Sequence, residues 1–442
     1  MDKTSLTSWG NVRRSESFLR EPASAEETRK AIMSLGKNGG IARGSGRSYG
    51  DQAMNEDGDV IRPSFNTTRW SNVNEEGVVT VKSSVTFFEL LKVLVPLGWY
   101  LPVVPGTGFV TIGGAIAADI HGKNHYHKSS LGNHVRSITL MLADGSTVEC
   151  SRINESELFW ATVGGLGLTG VILEAKIQLT SIPSSTVLIN TKRFYDFAEL
   201  LEVMKSTAIE SDYSIAWLDL ISKSNPGRGI LETGNYESTN EDSTLSYETK
   251  PLVSISNKFP NTLLNASTVR IYSALRFNLT GRKSSSASKP LATYMHPLDR
   301  IGNWNRLYGP AGLIQWQVVI PEESEDALLN ILQAINKSDL PAFLAVLKKL
   351  GPANNAALSF PLRGWTLAVD FPAKHHLVYE VLDALDLEVV NVGGRVYLAK
   401  DTRLDSKLIS KMYPRVDEWN SIRETVDPHR RWQSDFSRRL GL

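Results

Sequence analysis

Ala42-Arg43-Gly44-Ser45-Gly46-Arg47-Ser48-Tyr49-Gly50-Asp51 is the stretch on which the reading of this chain turns. Three glycines so closely spaced let successive backbone N–H groups point inward together, and such a concave run of amides is a nest for a diphosphate. Arg47 adds positive charge beside it. The spacing is not the Rossmann fingerprint, because Tyr49 stands where the third glycine belongs. Taken alone, the stretch also suits a plain surface turn. Further along, Pro105-Gly106-Thr107-Gly108-Phe109-Val110-Thr111-Ile112-Gly113-Gly114-Ala115-Ile116-Ala117-Ala118 is built almost wholly of small side chains, against which a bulky planar ligand can lie on bare backbone. Close helix packing accounts for that run too. Two nest-like loops in one chain point to a single large dinucleotide.

A perfect G-x-G-x-x-G does occur, at Gly165-Leu166-Gly167-Leu168-Thr169-Gly170. It is a decoy, since the motif needs a strand before it and a helix after it. Here the pattern predicts a helix over 158–163 before it and a long strand over 168–182 after it. Val171, Leu173, Ala175, Ile177 and Leu179 share one face of that strand. No G-x-x-x-x-G-K-[ST] is present, which disfavours ATP or GTP in a P-loop.

Around these loops the periodicity predicts a helix over 24–38, with Ser24 and Glu27 as its capping pair. It also predicts strands at 59–62 and 78–83, a helix over 87–97 and a hairpin over 135–149 turning at Ala143-Asp144-Gly145-Ser146. Beyond Pro183 the texture changes to strands (213–221, 313–320, 365–371) mixed with helices (196–208, 323–336, 374–386). A polar region, 222–290, has weak periodicity, and its serine-rich stretch 281–290 is expected to be mobile. Residues 395–400 read as a strand, followed by a helical tail.

Hydrophobic residues at 41% and charged residues at 21% describe a globular chain, long enough at 442 residues for more than one core. The net charge of +1 provides no field to gather phosphate backbones, so nucleic acid is not an expected partner. Arg430, Arg431, Arg438 and Arg439 are expected to solvate a terminal helix. Cys150 is the only cysteine, which rules out an intramolecular disulfide and fits a reducing compartment. Met1–Arg20 lacks an apolar signal core, and no run is long enough to span a bilayer. The expectation is a cytoplasmic protein without a transmembrane segment, able to touch the inner membrane face peripherally.

His121, His125, His127 and His134 cluster in sequence. Gly122 and Asn124 argue against the helix that would turn His121 and His125 into a zinc pair, so no metal is expected. His121, directly after the small-residue run, is the better candidate for catalysis or cofactor contact.

Residues 42–51, the 105–118 loop and the Gly164–Gly170 turn resemble the PCMH-type FAD-binding fold of the vanillyl-alcohol oxidase superfamily. Asp119-Ile-His121-Gly-Lys-Asn-His125, Phe159-Trp-Ala-Thr-Val-Gly-Gly165 and Tyr294-Met-His-Pro-Leu-Asp299 resemble its decaprenylphosphoryl-β-D-ribose 2-oxidase branch more closely. So do Tyr308-Gly-Pro-Ala-Gly312, Leu358-Ser-Phe-Pro361 and Tyr413-Pro-Arg-Val-Asp-Glu-Trp419. The likeness covers nearly the whole chain and is weakest between residues 222 and 290.

The resemblance implies an α+β, two-domain fold: an FAD-binding domain from residues 1–183 and 394–442, and a sheet-based substrate (cap) domain from 184–393. It implies oxidation of a sugar secondary hydroxyl, the 2-hydroxyl of a polyprenylphosphoryl-β-D-ribose going to the ketone. A short-chain reductase partner would then complete an epimerisation to arabinose for cell-wall polysaccharide. The rival readings are an FAD-dependent oxidase of a free sugar or aldonolactone, and a flavin- or sugar-binding protein without turnover.

By the same resemblance FAD would contact Ala42, Arg43, Gly44, Ser45, Gly46, Arg47, Ser48, Tyr49, Gly50, Asp51 and Gln52. Further contacts would come from Gly106, Thr111, Ile112, Gly113, Gly114, His121, Gly122, Lys123, Asn124, Ile172 and Tyr397. Arg47 occupies the place where many superfamily members carry the histidine that bonds FAD covalently, so a noncovalent flavin is expected. Lys400 and His121 are expected to flank the reacting hydroxyl. On an ideal strand Tyr397 and Lys400 face opposite sides, so their meeting requires that strand to bulge or end. Tyr49, Trp217, Tyr294, Gln315, Gln317 and Lys348 would bind substrate. Gln315 and Gln317 share a strand face. Lys348 would suit a substrate phosphate, although Lys349 beside it also suits a solvated helix end. Ala368 and Thr366 depart from the cysteine and asparagine of actinobacterial members, which bears on the identity of sugar and lipid rather than on flavin chemistry.

Overall fold

A computed structural model describes residues 2–223, 226–238, 244–248, 251–256, 264–281 and 283–442. Among these, two four-stranded sheets carry the glycine-rich loops. One runs Thr4–Thr7, Arg14–Arg20, Asp59–Ile61, Gly40–Ala42 in space, and the other Val78–Lys82, Val171–Gln178, Val135–Met141, Thr147–Ser151. The chain leaves the strand Gly40–Ala42 straight into the first loop, so the nest begins at a fixed strand end. The helix Ala25–Met33 starts where its capping serine predicts, with Glu27 N–H donating to Ser24 Oγ. Phe87–Leu94 is closed in front by a reciprocal Thr86–Glu89 cap. The G-x-G-x-x-G segment lies between the helix Ser156–Thr162 and the strand Val171–Gln178, the reverse of a nucleotide-binding context.

A larger sheet of eight strands covers the loops. Its order is Ser285–Pro290, Thr186–Phe194, Gly229–Tyr236, Tyr213–Leu218, Leu344–Leu350, Gly364–Pro372, Leu313–Pro321, Arg395–Val396. The two-residue period of a strand divides its side chains cleanly. Ala216, Leu231, Ile314, Trp316, Ala345, Leu347, Leu367 and Val369 point to one face and pack in a single core with the helices Phe197–Glu210, Glu325–Lys337 and Val378–Asn391. Each large aliphatic buried there contributes about 1.5–3 kcal/mol relative to exposure. The residues between them, Ile215, Trp217, Ile230, Glu232, Gln315, Gln317, Leu344, Val346, Lys348 and Ala368, face the glycine loops.

Four expectations are corrected. Ser285–Pro290 is no mobile tether: it pairs with Thr186–Thr191 as an edge strand, from Thr186↔Pro290 to Thr191↔Ser285. Exposed serines carry no apolar alternation, and it is the neighbouring strand that supplies the hydrogen bonds. Arg282 of that stretch and parts of region 222–290 lie outside the described residues. Lys348 and Lys349 sit on a strand, which sends Lys348 to the loops and Lys349 to Glu322 on the other face. The strand at 395 ends at Val396, after which Lys400 N–H donates to Tyr397 O at 2.9 Å in a turn. Finally, the terminal arginines do more than solvate a helix: Arg439 bridges Asp51 and Asp401, each at 2.8 Å, and Arg431 donates to the carbonyls of Ile32 and Ala143.

Candidate active site

Between the loops and the open face of the large sheet lies a cavity of about 600 Å³, within the size range of ligand sites. Nearly all the residues singled out from sequence line it, including Lys400, His121, Tyr397 and the six substrate candidates. Four stand behind the wall instead. Gly50 lies so close to the backbone of Asp401 that any Cβ would run into that carbonyl. Asp51 is engaged by Arg439, Ile112 belongs to the core, and Asn124 donates to Pro102 O at 2.8 Å. These four brace the loops rather than face the cavity.

The wall fits a flavin dinucleotide. The two glycine segments touch, since a Cβ on Gly44 would collide with the Thr111 hydroxyl. Gly46 has φ +64°, a left-handed turn that only glycine makes freely. Gly106, by contrast, has open space where a side chain would be. The Arg47 guanidinium is stacked 4.0 Å over Trp9 and 5.2 Å from Phe109, and its buried Nε has no protein partner. Trp217 Nε1 and Tyr294 Oη, also in the wall, are buried without a partner among the described residues. Buried polar atoms left this way mark a place for a polar ligand.

One corner gathers the groups that can move protons. Gln317 Nε2 lies 2.9 Å from His121 Nε2 and 3.1 Å from Thr366 Oγ1, and Lys348 Nζ lies 3.2 Å from His121 Nδ1. Burial, reinforced by Lys348, keeps His121 far below its ordinary pKa and therefore neutral, so one ring nitrogen donates while the other accepts. The Lys400 ammonium sits 3.8 Å over the Tyr49 ring. Burial pulls it down to about 7, against the opposing pull of Asp370. Burial likewise pulls Lys348 down to about 7, helped by Lys400, and pushes Asp370 up to about 7. Asp370 accepts from Gln315 Nε2 at 2.6 Å, so that glutamine is held rather than free to swing. Each charge favours the other, Asp370 raising the Lys400 pKa and Lys400 lowering that of Asp370 against the stronger effect of burial.

Sequence reasoning passed over the residues that hold this corner. Asp119, at φ +40°, accepts from Ser130 Oγ at 2.7 Å, Gly132 N at 2.9 Å, Asn354 Nδ2 at 2.7 Å and Ser359 Oγ. It thereby fastens the turn that presents His121, two residues later, to the segment at 354–359. Phe360 stacks on Tyr397 with ring centroids 4.6 Å apart, and Tyr397 Oη donates to Ala118 O at 2.8 Å. Asp119 was visible only as a neighbour of His121; its four donors come from two separate segments, 130–132 and 354–359. His125 plays a structural part, its Nδ1 accepting from Gly351 N at 3.1 Å.

Two touching glycine loops, a flavin-sized groove and a proton-transfer corner at its end together define a flavin-dependent oxidoreductase. A family model described as an FAD binding domain matches residues 17–151, so this chain is an FAD enzyme with the PCMH-type α+β fold. Over 99% of its length it is 38% identical to decaprenylphosphoryl-beta-D-ribose oxidase of Mycolicibacterium smegmatis, covering 97% of that protein. It is 31% identical, over 81% of its length and all of the relative, to an uncharacterized protein in the mprA 5′ region of Streptomyces coelicolor. A more remote likeness, 25% over 58% of this chain and 49% of the relative, links it to cytokinin dehydrogenase 1 of Arabidopsis thaliana. The chain belongs to the decaprenylphosphoryl-β-D-ribose oxidase family.

Proposed function

We propose that this enzyme oxidises the 2-hydroxyl of a polyprenylphosphoryl-β-D-ribose to the 2-ketone. The observation that carries the reading is the convergence of Lys400, His121, Gln317 and Lys348 on one end of a cavity whose other walls are the two glycine loops. Bound FAD supplies the acceptor for the hydride that leaves the sugar carbon. Residues 42–49, Gln52, Gly106, Thr111, Gly113, Gly114, His121–Lys123, Ile172 and Tyr397 would hold it.

The protein's part is to take the hydroxyl proton and to fix the carbon. The neutral Lys400 amine accepts that proton, with Asp370 as the counter-group for the ammonium formed. His121 and Gln317 hold the hydroxyl in line. Lys348 faces the phosphate one carbon away, whose charge would restore its ammonium. Trp217 and Tyr294 close the pocket over the sugar, and the orphaned Nε1 and Oη provide polar contacts for it. The flavin domain comprises residues 1–183 and 394–442, the substrate domain 184–393. A short-chain reductase would consume the ketone. The working location is cytoplasmic, at the inner membrane face; among the described residues no helix is long and apolar enough to cross a membrane.

The test is anaerobic flavin bleaching across polyprenyl-phosphate pentoses, free sugars and aldonolactones. Polyprenylphosphoryl ribose is expected to bleach the flavin at micromolar concentration while free ribose leaves it yellow. Bleaching by free sugars or lactones alone would overturn the lipid-phosphate substrate. Because Arg47 supplies no covalent tether, acid precipitation is expected to release all the flavin into the supernatant. Flavin retained in the pellet would contradict the noncovalent attachment.

A further inference from the structure

The helix Ala266–Leu279 seats itself through Val269, Ser273 and Phe277, which are buried, with Phe277 packed against Trp217 and Ile230. Its opposite face is apolar and open: Ile271 is 61% exposed, Leu275 56% and Leu279 82%. Spaced four residues apart, the three form a single stripe along the helix. Leu252 and Val253 are exposed as well, at the start of the short strand Val253–Ser254, where Leu252 N–H donates to Arg300 O at 2.8 Å. Six of the sixteen large apolar side chains exposed among the described residues, these five and Tyr272, thus fall between positions 252 and 279. So tight a cluster is not scattered surface hydrophobicity.

Both apolar segments border the substrate end of the cavity. Arg276, on the helix, stacks 4.7 Å over Trp217, and Arg276 and Arg300 both line the cavity wall. From Leu264 to Pro290 the sequence holds Arg270, Arg276, Arg282, Lys283 and Lys289 and not one carboxylate, in a chain that is otherwise close to neutral. Arg270 is paired with Asp339 at 3.8 Å and Lys289 with Glu232 at 3.5 Å, while Lys283 is exposed. An exposed apolar stripe on a helix with basic and no acidic side chains suits contact with an anionic membrane interface. A stable protein partner would require roughly 20–30 residues a side, far more than this patch presents.

We infer that the helix Ala266–Leu279, with Leu252 and Val253 beside it, is the surface by which the enzyme rests on an anionic lipid bilayer, turning the substrate end of its cavity toward the membrane. The inference rests on the proposal that the substrate is a lipid phosphate, for it gives that substrate a path from the bilayer to the corner formed by His121 and Lys400. Ile271, Leu275 and Leu279 enter the acyl boundary, and Arg270 and Lys283 meet the anionic headgroups.

Co-sedimentation of the flavin-loaded enzyme with vesicles of phosphatidylglycerol and phosphatidylcholine tests it. The wild type is expected to pellet with the mixed vesicles and much less with pure phosphatidylcholine. The double variant Leu275→Asp/Leu279→Asp should lose roughly a hundredfold in partitioning. It should keep its flavin and its bleaching by a water-soluble, short-chain prenylphosphoryl ribose, while bleaching by decaprenylphosphoryl ribose in vesicles slows. Ile153→Asp, at an isolated exposed residue of the flavin side, should bind vesicles as the wild type does. The inference is overturned if the wild type stays in solution, if the double variant pellets undiminished, or if the double variant instead dissolves a dimer seen by sedimentation velocity. Vesicle binding that depends on Leu275 and Leu279, with no prenylphosphoryl ribose able to bleach the flavin, would leave the membrane surface standing and sink the substrate proposal.

Discussion

Lys400→Ala is expected to leave the protein yellow and to slow flavin bleaching by substrate by roughly a thousandfold, the usual contribution of a positioned base. The amine is buried over Tyr49, and the turn after Val396 carries it to the same cavity end as His121. Its removal takes away an acceptor for the proton without disturbing the glycine loops that would grip the diphosphate. Lys400→Arg should be just as slow, because a guanidinium cannot give up its proton to become a base. The pH dependence has a definite sign. Burial brings the Lys400 ammonium down to about 7. Below that pH the side chain is protonated and cannot accept; above it the free amine is present. Anaerobic stopped-flow rates in the wild type should therefore rise as pH climbs through about 7, and in the alanine variant this rise should be gone. Unchanged rates in Lys400→Ala would remove the lysine from the chemistry.

Asp119→Ala is expected to cost several kcal/mol of stability, at about 1–3 kcal/mol for each buried donor left without a partner. The carboxylate is fully buried and accepts from two serines, an asparagine amide and a backbone N–H. Without it Asn354, half-buried, keeps its bond to Ser130 Oγ at 2.9 Å, while the buried Ser130 and Ser359 hydroxyls and the Gly132 N–H lose their acceptor, and each is costly to leave unmade. The backbone at Asp119 is left-handed, so the turn loses the contacts that hold it in an uncommon conformation. Ser130 is bridged to His121 as well as bonded to Asp119, so the damage reaches the imidazole. A drop in melting temperature of several degrees and loss of flavin during purification are the expected readings. A melting temperature within a degree of the wild type, with flavin intact, would show that the turn holds itself.

The parts of this molecule most legible in sequence were those whose chemistry is local. A glycine nest needs its glycines in a row, and a capping serine announces a helix start from within a few residues. The rejection of the Gly165–Gly170 motif needed only the elements on either side. The large sheet was less legible because its edge borrows stability. Ser285–Pro290 has neither apolar alternation nor β-branched residues, and Thr186–Phe194 makes it a strand. Lys348 and Lys349 illustrate the same limit: two adjacent lysines carry no sign of which one turns inward until the strand is known. Lys400 was placed by resemblance on a strand that should have pointed it away from Tyr397. The answer was a turn beginning three residues earlier, tied by hydrogen bonds that leave no mark on composition. Asp119 and Asp370 went unassigned because two of the Asp119 donors, Asn354 and Ser359, and the Gln315 that binds Asp370 lie far off in the chain.

The alternating roof of the cavity separates two evolutionary pressures. Residues 217, 315, 317, 346, 348, 366 and 368 meet whatever sugar is bound or brace the side chains that do, whereas 216, 316, 345, 347, 367 and 369 answer only to the helices behind. Apart from Gln317 and Lys348, the inward positions of these four neighbouring strands can therefore vary while the intervening ones preserve the scaffold. Thr366, which accepts from Gln317, and Ala368, which lines the cavity, stand at two of those inward positions.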